Sequence, residues 1–306
     1  MKITIKQPLS FSEIGKKDNQ EDYLYPDLSA IAKDQKFFIL CDGMGGHENG
    51  EVASQTVATA LGNYFELNQN ISITKEIFCE ALDSAYAALD AKDNPDSVKK
   101  MGTTMTCLCL NDDGALLAHI GDSRIYHIRP SLFDRKSGRL GILFQTSDHS
   151  LVNDLLKIGE LTADEARNYP HKNIITRAMQ PNQERRAKAD ICQLSDIKSG
   201  DYFFLCCDGI LEQLNNEKLC EILANKKLND QEKLDAIKSV CDGNTRDNYS
   251  CWLVHIDKVS GENESFATED DVIVALSEEE QNETSKEHIS YTTIFLSKFL
   301  NFFKRK

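Results

Sequence analysis

Basic charge is scarce in this chain: 35 Lys and Arg stand against 49 Asp and Glu, for a formal net charge of −14. That deficit argues against a surface built to bind nucleic-acid phosphates by counterion release, although a local basic groove is still allowed. No stretch reaches the roughly 18 consecutive apolar residues of a membrane-spanning helix. The opening MKITIKQPLSFSEIGKKDNQ lacks the uninterrupted apolar run of a signal peptide, so the ten cysteines are expected to be reduced and the protein cytoplasmic. Their spacing agrees. No C-x-x-C pair occurs, Cys107 and Cys109 alternate along a strand-like stretch, and Cys206 and Cys207 are adjacent, which suits small core hydrophobes better than a thiolate cluster.

What is present is ample core material: 41% of 306 residues are hydrophobic, enough for one large domain or two small ones. Val52, Ala53, Val57, Ala60, Leu61 and Tyr64 recur at helical spacing, and a second helix is expected from about Thr74 to Asp90, before Asp93-Asn94-Pro95 breaks it. The period then changes to strands over Thr103 to Leu110, Ala115 to Ile120 and Arg124 to Ile128, which suggests a hairpin and meander. Residues 147 to 169 and 215 to 240 return to helical character, and 201 to 207 and 249 to 256 read as buried strands. Strands and helices come in blocks, which favours α+β with packed antiparallel sheets over a doubly wound parallel sheet.

Composition shifts near residue 258, giving a division into 1–258 and 259–306. Gly261 to Glu287 has the composition of an acidic linker, whereas ISYTTIFLSKFLNFFKRK, from residue 289 to 306, is aromatic and basic. Such a segment suits a helix on a membrane surface or in a partner's groove, and docking back on the domain is equally open.

The most informative feature is a set of acids at the ends of apolar runs. KFFILCDGMG delivers Asp42 into a loop of glycines, and DYFFLCCDGI repeats the design with Asp208. Glu21 and Asp22 precede an apolar turn, Asp122 interrupts AHIGDSRIYHI, and Asp247 stands just before the last strand. Singly, an Asp beside Gly is an ordinary turn residue, and Asp122 has Arg124 as a possible ion-pair partner. Together they form a group of carboxylates that would be costly to desolvate without positive charge. All-oxygen ligation selects Mg²⁺ or Mn²⁺ over Zn²⁺.

In order, GKKDNQEDYL, CDGMGGHENGEVAS, MGTTMTCLCL, HIGDSRIYHI, TSDHSLV, IITRAM, GDYFFLCCDGI and RDNYS resemble the motif series of the metal-dependent protein phosphatases of type 2C, in their bacterial form. The resemblance covers about residues 3 to 258. It implies a central sandwich of two antiparallel β-sheets flanked by α-helical layers, with two metal ions in a cleft at one end. By position Asp42 would bridge both ions, Glu21 and the Gly43 carbonyl would complete one site, and Asp208 and Asp247 would hold the other. Asp122, with Asp208, maps to a third and weaker position. A carbonyl ligand in a turning chain needs room where a Cβ would stand, which Gly43, Gly45 and Gly46 provide. Asp22 and Asn248 would orient ligands and waters. Of His47, His119 and His149, only His47 is weighed for proton transfer, and a structural role is open for it too. Some relatives carry His where this chain has Met44, which leaves the general acid unassigned.

The implied reaction is hydrolysis of phosphoserine or phosphothreonine on proteins, with Asp42, Asp208 and Asp247 central to catalysis and no covalent phosphoenzyme. No cysteine has the C-x₅-R arrangement of a thiolate phosphatase; Arg246 follows Cys241 at the wrong spacing. Lys17 stands where the family usually has the phosphate-binding Arg, so a single mobile charge replaces a bidentate fork. An ordinary solvated pair with Lys16 is the alternative. The expected partners are phosphorylated proteins and, as a further candidate, a serine/threonine kinase. Residues 150 to 179 correspond to the flap beside the cleft. A non-catalytic scaffold that binds phosphoproteins or a kinase is the competing reading; a metal-dependent nuclease is disfavoured by charge and motif order.

Overall fold

Successive residues of a β-strand face opposite sides, and here both sides are apolar because both are covered. In β4 (Phe37–Met44), Phe38 and Leu40 join one core cluster, while Phe37, Ile39 and Cys41 join another. The same division runs through β6 (Met105–Asn111) and β7 (Gly114–Ile120): Leu108, Leu110 and Leu117 pack into the first cluster, and Cys107, Cys109, Leu116 and Ala118 into the second. The first cluster fills the space between the two sheets and continues under the helices beyond the second sheet; the other lies under the helices on the β4 and β6 side. That is why KFFILC reads as an unbroken apolar run. The computed structural model describes residues 2–27, 29, 31–32, 35–44, 49–68, 71–93, 100–167, 169–170 and 174–260.

Both sheets are antiparallel and six-stranded. The remaining strands are β1 (Lys2–Ile5), β2 (Leu9–Glu13), β3 (Asp22–Tyr25), β5 (Gly102–Thr103), β8 (Arg124–Ile128), β9 (Ile142–Gln145), β10 (Asp190–Leu194), β11 (Tyr202–Cys206) and β12 (Tyr249–Ser260). One sheet runs β1-β12-β11-β8-β9, with β2 also on β12; the other runs β10-β7-β6-β4-β3, with β5 on β4. The indole of the fully buried Trp252 ties them together, donating from Nε1 to the Ile39 carbonyl at 3.0 Å.

The helices cover the outer faces. In α1 (Gly50–Leu67) and α2 (Lys75–Asp90), Val57, Leu61, Phe65, Phe78, Leu82 and Leu89 form the stripe packed on the β4 and β6 side. The Thr74 hydroxyl caps α2 by accepting from Ile77 N. Beneath the other sheet, α6 (Asn216–Ala224) and α7 (Asp230–Cys241) contribute Leu219, Leu223, Leu234 and Ile237. Asn229 and Glu232 close a capping box on α7, with bonds of 3.0 and 2.8 Å. Shorter helices are α3 (Leu151–Lys157), α4 (Ala163–Arg167) and α5 (Asp208–Leu211). Among the described residues no helix is long and apolar enough to cross a membrane.

Three expectations need correction. β6, β7 and β8 are not a meander: β6 and β7 form a hairpin, but β8 pairs with β11 in the opposite sheet. The chain changes sheets at Gly121, whose φ of +106° turns it where an L-residue would be strained. The residues after Glu21 form an edge strand, β3, rather than a turn, because the alternation in Asp22–Tyr25 matches β4. Finally, Cys79 is exposed and Cys192 half-buried, so the core reading of the cysteines holds for the other eight, all of which are free thiols. The acidic linker and the segment 289–306 lie outside the described residues.

Candidate metal centre

The antiparallel register of β3 on β4 places Asp22 directly opposite Asp42. Like charges in that relation repel, and both Asp22 oxygens are buried without a hydrogen-bond partner. The opposite sheet brings further acids to them. β11 and β12 are paired neighbours, so Asp208, which follows β11, and Asp247, which precedes β12, emerge at one end. Asp122 arrives on the sheet-changing turn between β7 and β8, its Oδ1 also buried and unpartnered. The pairing of Asp122 with Arg124 does not form: Arg124 is held by Asp148 through bonds of 2.6 and 2.7 Å.

The acids feel each other. Burial first, then the charges of Asp22, Asp208, Asp122 and Asp247, holds the Asp42 carboxyl well above the usual range. Burial and the Asp208 and Asp247 charges push Asp22 up to about 7, against the pull of the nearby Ser250 and Cys207 side chains. Asp122 is pushed to about 7 by burial and by the charges of Asp208 and Asp148. For Asp208, burial and the Asp247 charge raise the value to about 6. Among the described residues Lys17 pairs directly with one of these acids, its Nζ 2.7 Å from Asp247 Oδ1, while Arg124, held by Asp148, offsets only part of the rise at Asp122. Burial pulls the Lys17 ammonium down, but Asp247, Glu21 and Asp42 outweigh it and leave it above its ordinary value. Lys17 is therefore not a freely solvated partner of Lys16.

The backbone around these acids is tightly held. A Cβ on Gly43 would fall 2.2 Å from the Gly50 carbonyl oxygen, and one on Gly50 would fall 2.6 Å from Glu21 Oε1, so two glycines let the Glu21 loop, the end of β4 and the start of α1 approach. Gly43 N donates to the Glu21 carbonyl at 3.0 Å, and the Ser54 hydroxyl donates to the same oxygen at 2.6 Å. Asn248 clamps the first loop: its Oδ1 accepts from Glu21 N at 2.8 Å, and its Nδ2 donates to the carbonyls of Ile14 and Asn19 at 2.8 and 2.9 Å. Gln20 Oε1 accepts from Asp22 N at 3.0 Å. His47, with Gly45 and Gly46, lies outside the described residues. His119 and His149 stack on each other at 4.4 Å.

Sequence reasoning gave no role to several residues that shape the site. Thr103 and Thr104 grip the Asp42 backbone: Thr104 N and Thr103 Oγ1 donate to its carbonyl at 2.9 and 3.0 Å, and Thr104 Oγ1 accepts from its N–H at 3.1 Å. Two adjacent threonines at the start of an otherwise apolar strand were the available signal. Cys207, fully buried, lies with its Sγ within 4.8 Å of carboxylate oxygens of Asp22 and Asp42. Burial, with the charges of Asp22, Asp42 and Asp208, pushes its thiol well up. Clustered, buried and partly orphaned carboxylates fit hard divalent cations.

Comparison with known proteins gives a consistent result. Residues 12–236 match the family described as Protein phosphatase 2C. Protein phosphatase PhpP of Streptococcus pneumoniae is 33% identical over 217 residues, 70% of this chain and 82% of that protein. The serine/threonine phosphatase PstP/Ppp of Mycobacterium tuberculosis has a similar fold, with a TM-score of 0.69 at 26% identity over 83% of this chain and 99% of that one. The catalytic domain of PstP in complex with two manganese ions gives 0.64, also at 26% identity, over 83% and 99% of the two chains.

Proposed function

The chain belongs to the protein phosphatase 2C family, and from that membership we infer that it is a metal-dependent protein phosphatase hydrolysing phosphoserine and phosphothreonine on proteins. The enzyme uses Mn²⁺ or Mg²⁺. The observation that carries the residue assignment is the convergence of Asp22, Asp42, Asp122 and Asp208 into one buried field, where burial first and neighbouring acids second raise each carboxyl. Divalent ions, when bound, neutralise that field and make a water acidic enough to attack phosphorus near neutral pH.

The carboxylates of Glu21, Asp42, Asp208 and Asp247 and the Gly43 carbonyl would hold two ions, and Asp122 with Asp208 a third, weaker one. β4 delivers Asp42 on a strand whose backbone Thr103 and Thr104 fix at both its N–H and carbonyl. Asn248 holds the loop that carries Glu21. Lys17 would bind phosphate oxygens, exchanging its contact with Asp247 for the substrate. Asp22, directly opposite Asp42 on β3, would orient ligands and waters.

Residues 1–258 would form the catalytic domain. For residues 289–306, aromatic and basic composition supports contact with a membrane surface or a partner, and a serine/threonine kinase is a candidate partner. Phosphate release from a phosphothreonine peptide with Mn²⁺ tests the assignment. Asp208→Asn should lower turnover at least about tenfold, and turnover equal to the parent would refute it.

A further inference from the structure

The segment Thr146–His149 lies along the turn that carries Asp122 and bonds to it at successive points. Thr146 N donates to the Ile125 carbonyl at 3.1 Å, and Thr146 Oγ1 accepts from Ile125 N at 3.0 Å. Asp148 holds Arg124. His149 then exchanges two hydrogen bonds with Gly121, the residue before Asp122. His149 N donates to the Gly121 carbonyl at 2.9 Å, and Gly121 N donates to His149 Nδ1 at 3.0 Å.

The second of these bonds fixes the ring's chemistry. A nitrogen that accepts from a backbone N–H carries no proton, so the proton of the neutral ring sits on Nε2, which faces Asp190 Oδ2 at 3.0 Å and has Arg177 Nη1 at 3.1 Å beside it. The ring is 2% exposed and is stacked on His119, whose Nε2 meets the Ser147 carbonyl at 3.0 Å. Arg177 donates to the other Asp190 oxygen at 2.8 Å. Although His119, His149 and Asp190 bring three donor atoms within 4.8 Å, the Arg177 guanidinium already supplies their counter-charge, so they form a polar lock rather than a cation site.

The lock joins two parts of the catalytic domain. Thr176 N donates to the His149 carbonyl at 2.8 Å and Leu151 N to the Ile174 carbonyl at 2.9 Å, so the two ends of the 150–179 segment meet at His149. Arg177 belongs to the returning end. Contacts thus run from the base of that segment, through Arg177, Asp190 and His149, to the amide and carbonyl that precede Asp122.

We propose that His149 is a positioning residue for Asp122, using its Nδ1 acceptor to hold the Gly121–Asp122 turn and tie it to the base of the 150–179 segment. The inference rests on the reading of Asp122 as a ligand of the weaker cation position. Without the acceptor, a buried amide loses its partner and the turn is free to move the carboxylate. The side-chain oxygen of Asn can stand near the place of Nδ1; the amide of Gln reaches only the place of Nε2; Phe keeps the ring and the stack but offers no acceptor.

The experiment is calorimetric titration of Mn²⁺ into the intact metal-free chain, with melting temperature recorded for each variant and phosphatase activity measured at limiting Mn²⁺. His149→Phe and His149→Gln should weaken the weakest Mn²⁺ step at least about tenfold, the size expected for loss of a partner that orients a ligand, whereas His149→Asn should stay near the parent. Should the Phe variant fail to fold, the Asn and Gln pair carries the comparison. Equal Mn²⁺ binding by His149→Phe and the parent, or equal loss in the Asn and Gln variants, overturns the proposal. Asp122→Asn separates the two levels. If it leaves the weak step intact, the ligand reading of Asp122 fails and the inference with it. If it removes that step while His149→Phe does not alter it, the inference alone fails.

Discussion

Replacing Asp122 by Asn should stabilise the metal-free protein at alkaline pH while impairing it as a catalyst. Burial and the charges of Asp208 and Asp148 push this carboxyl up to about 7, with Arg124 offsetting only part because Asp148 already holds it. In the unfolded chain an Asp titrates near ~3.9. The folded value lies above the unfolded one, so the group's contribution to stability is complete below pH ~4 and is lost as pH rises through about 7. At pH 8 the difference amounts to roughly 4 kcal/mol, an upper bound because relaxation and water entry ease a buried charge. Asn has nearly the same shape and no charge, but its buried amide without a good partner costs about 1–3 kcal/mol. The net gain is then about 1–3 kcal/mol, or roughly 2–10 °C in melting temperature for a domain of this size. Scanning calorimetry in chelator at pH 5 and pH 8 reads it directly. The variant should melt above the parent at pH 8, and the advantage should vanish at pH 5, where the parent carboxyl is already protonated. A difference independent of pH, or a variant less stable than the parent at pH 8, would refute the electrostatic account. Saturating Mn²⁺ should reverse the order, since a ligand that binds only the folded state stabilises it by mass action.

Other perturbations probe the same site from different sides. Lys17→Met should raise KM for a phosphopeptide more than it lowers kcat, and Lys17→Arg should lower KM through bidentate phosphate contact; steady-state kinetics distinguish these from a kcat-only effect. Gly50→Ala would set a methyl 2.6 Å from Glu21 Oε1, so Mn²⁺ affinity should fall at least about tenfold while the melting temperature shifts by only a few degrees. Asn248→Ala strands Glu21 N and the carbonyls of Ile14 and Asn19, and should cost about 1–3 kcal/mol in urea unfolding besides reducing activity.

The chain of residues alone determined much here. The apolar alternation of α1 and α2 and the buried strands β6, β7 and β11 follow from local periodicity, which does not depend on partners. The end of each acid-bearing run was visible for the same reason: Asp42 and Asp208 follow continuous apolar stretches, and continuity reports burial on both faces. β3 and β9 were not legible, because short edge strands of four residues are decided by the neighbour they pair with rather than by their own pattern. Nor could periodicity show that β8 leaves the hairpin for the other sheet; a glycine marks a turn but not its direction. Side-chain partnership was the least accessible part. Nearness in sequence suggested Arg124 for Asp122, whereas folding gave Arg124 to Asp148 and left Asp122 Oδ1 buried without a partner. The residue types at strand ends fix which chemistry is available, but the strength of their mutual repulsion depends on distances across two sheets, and only packing sets those.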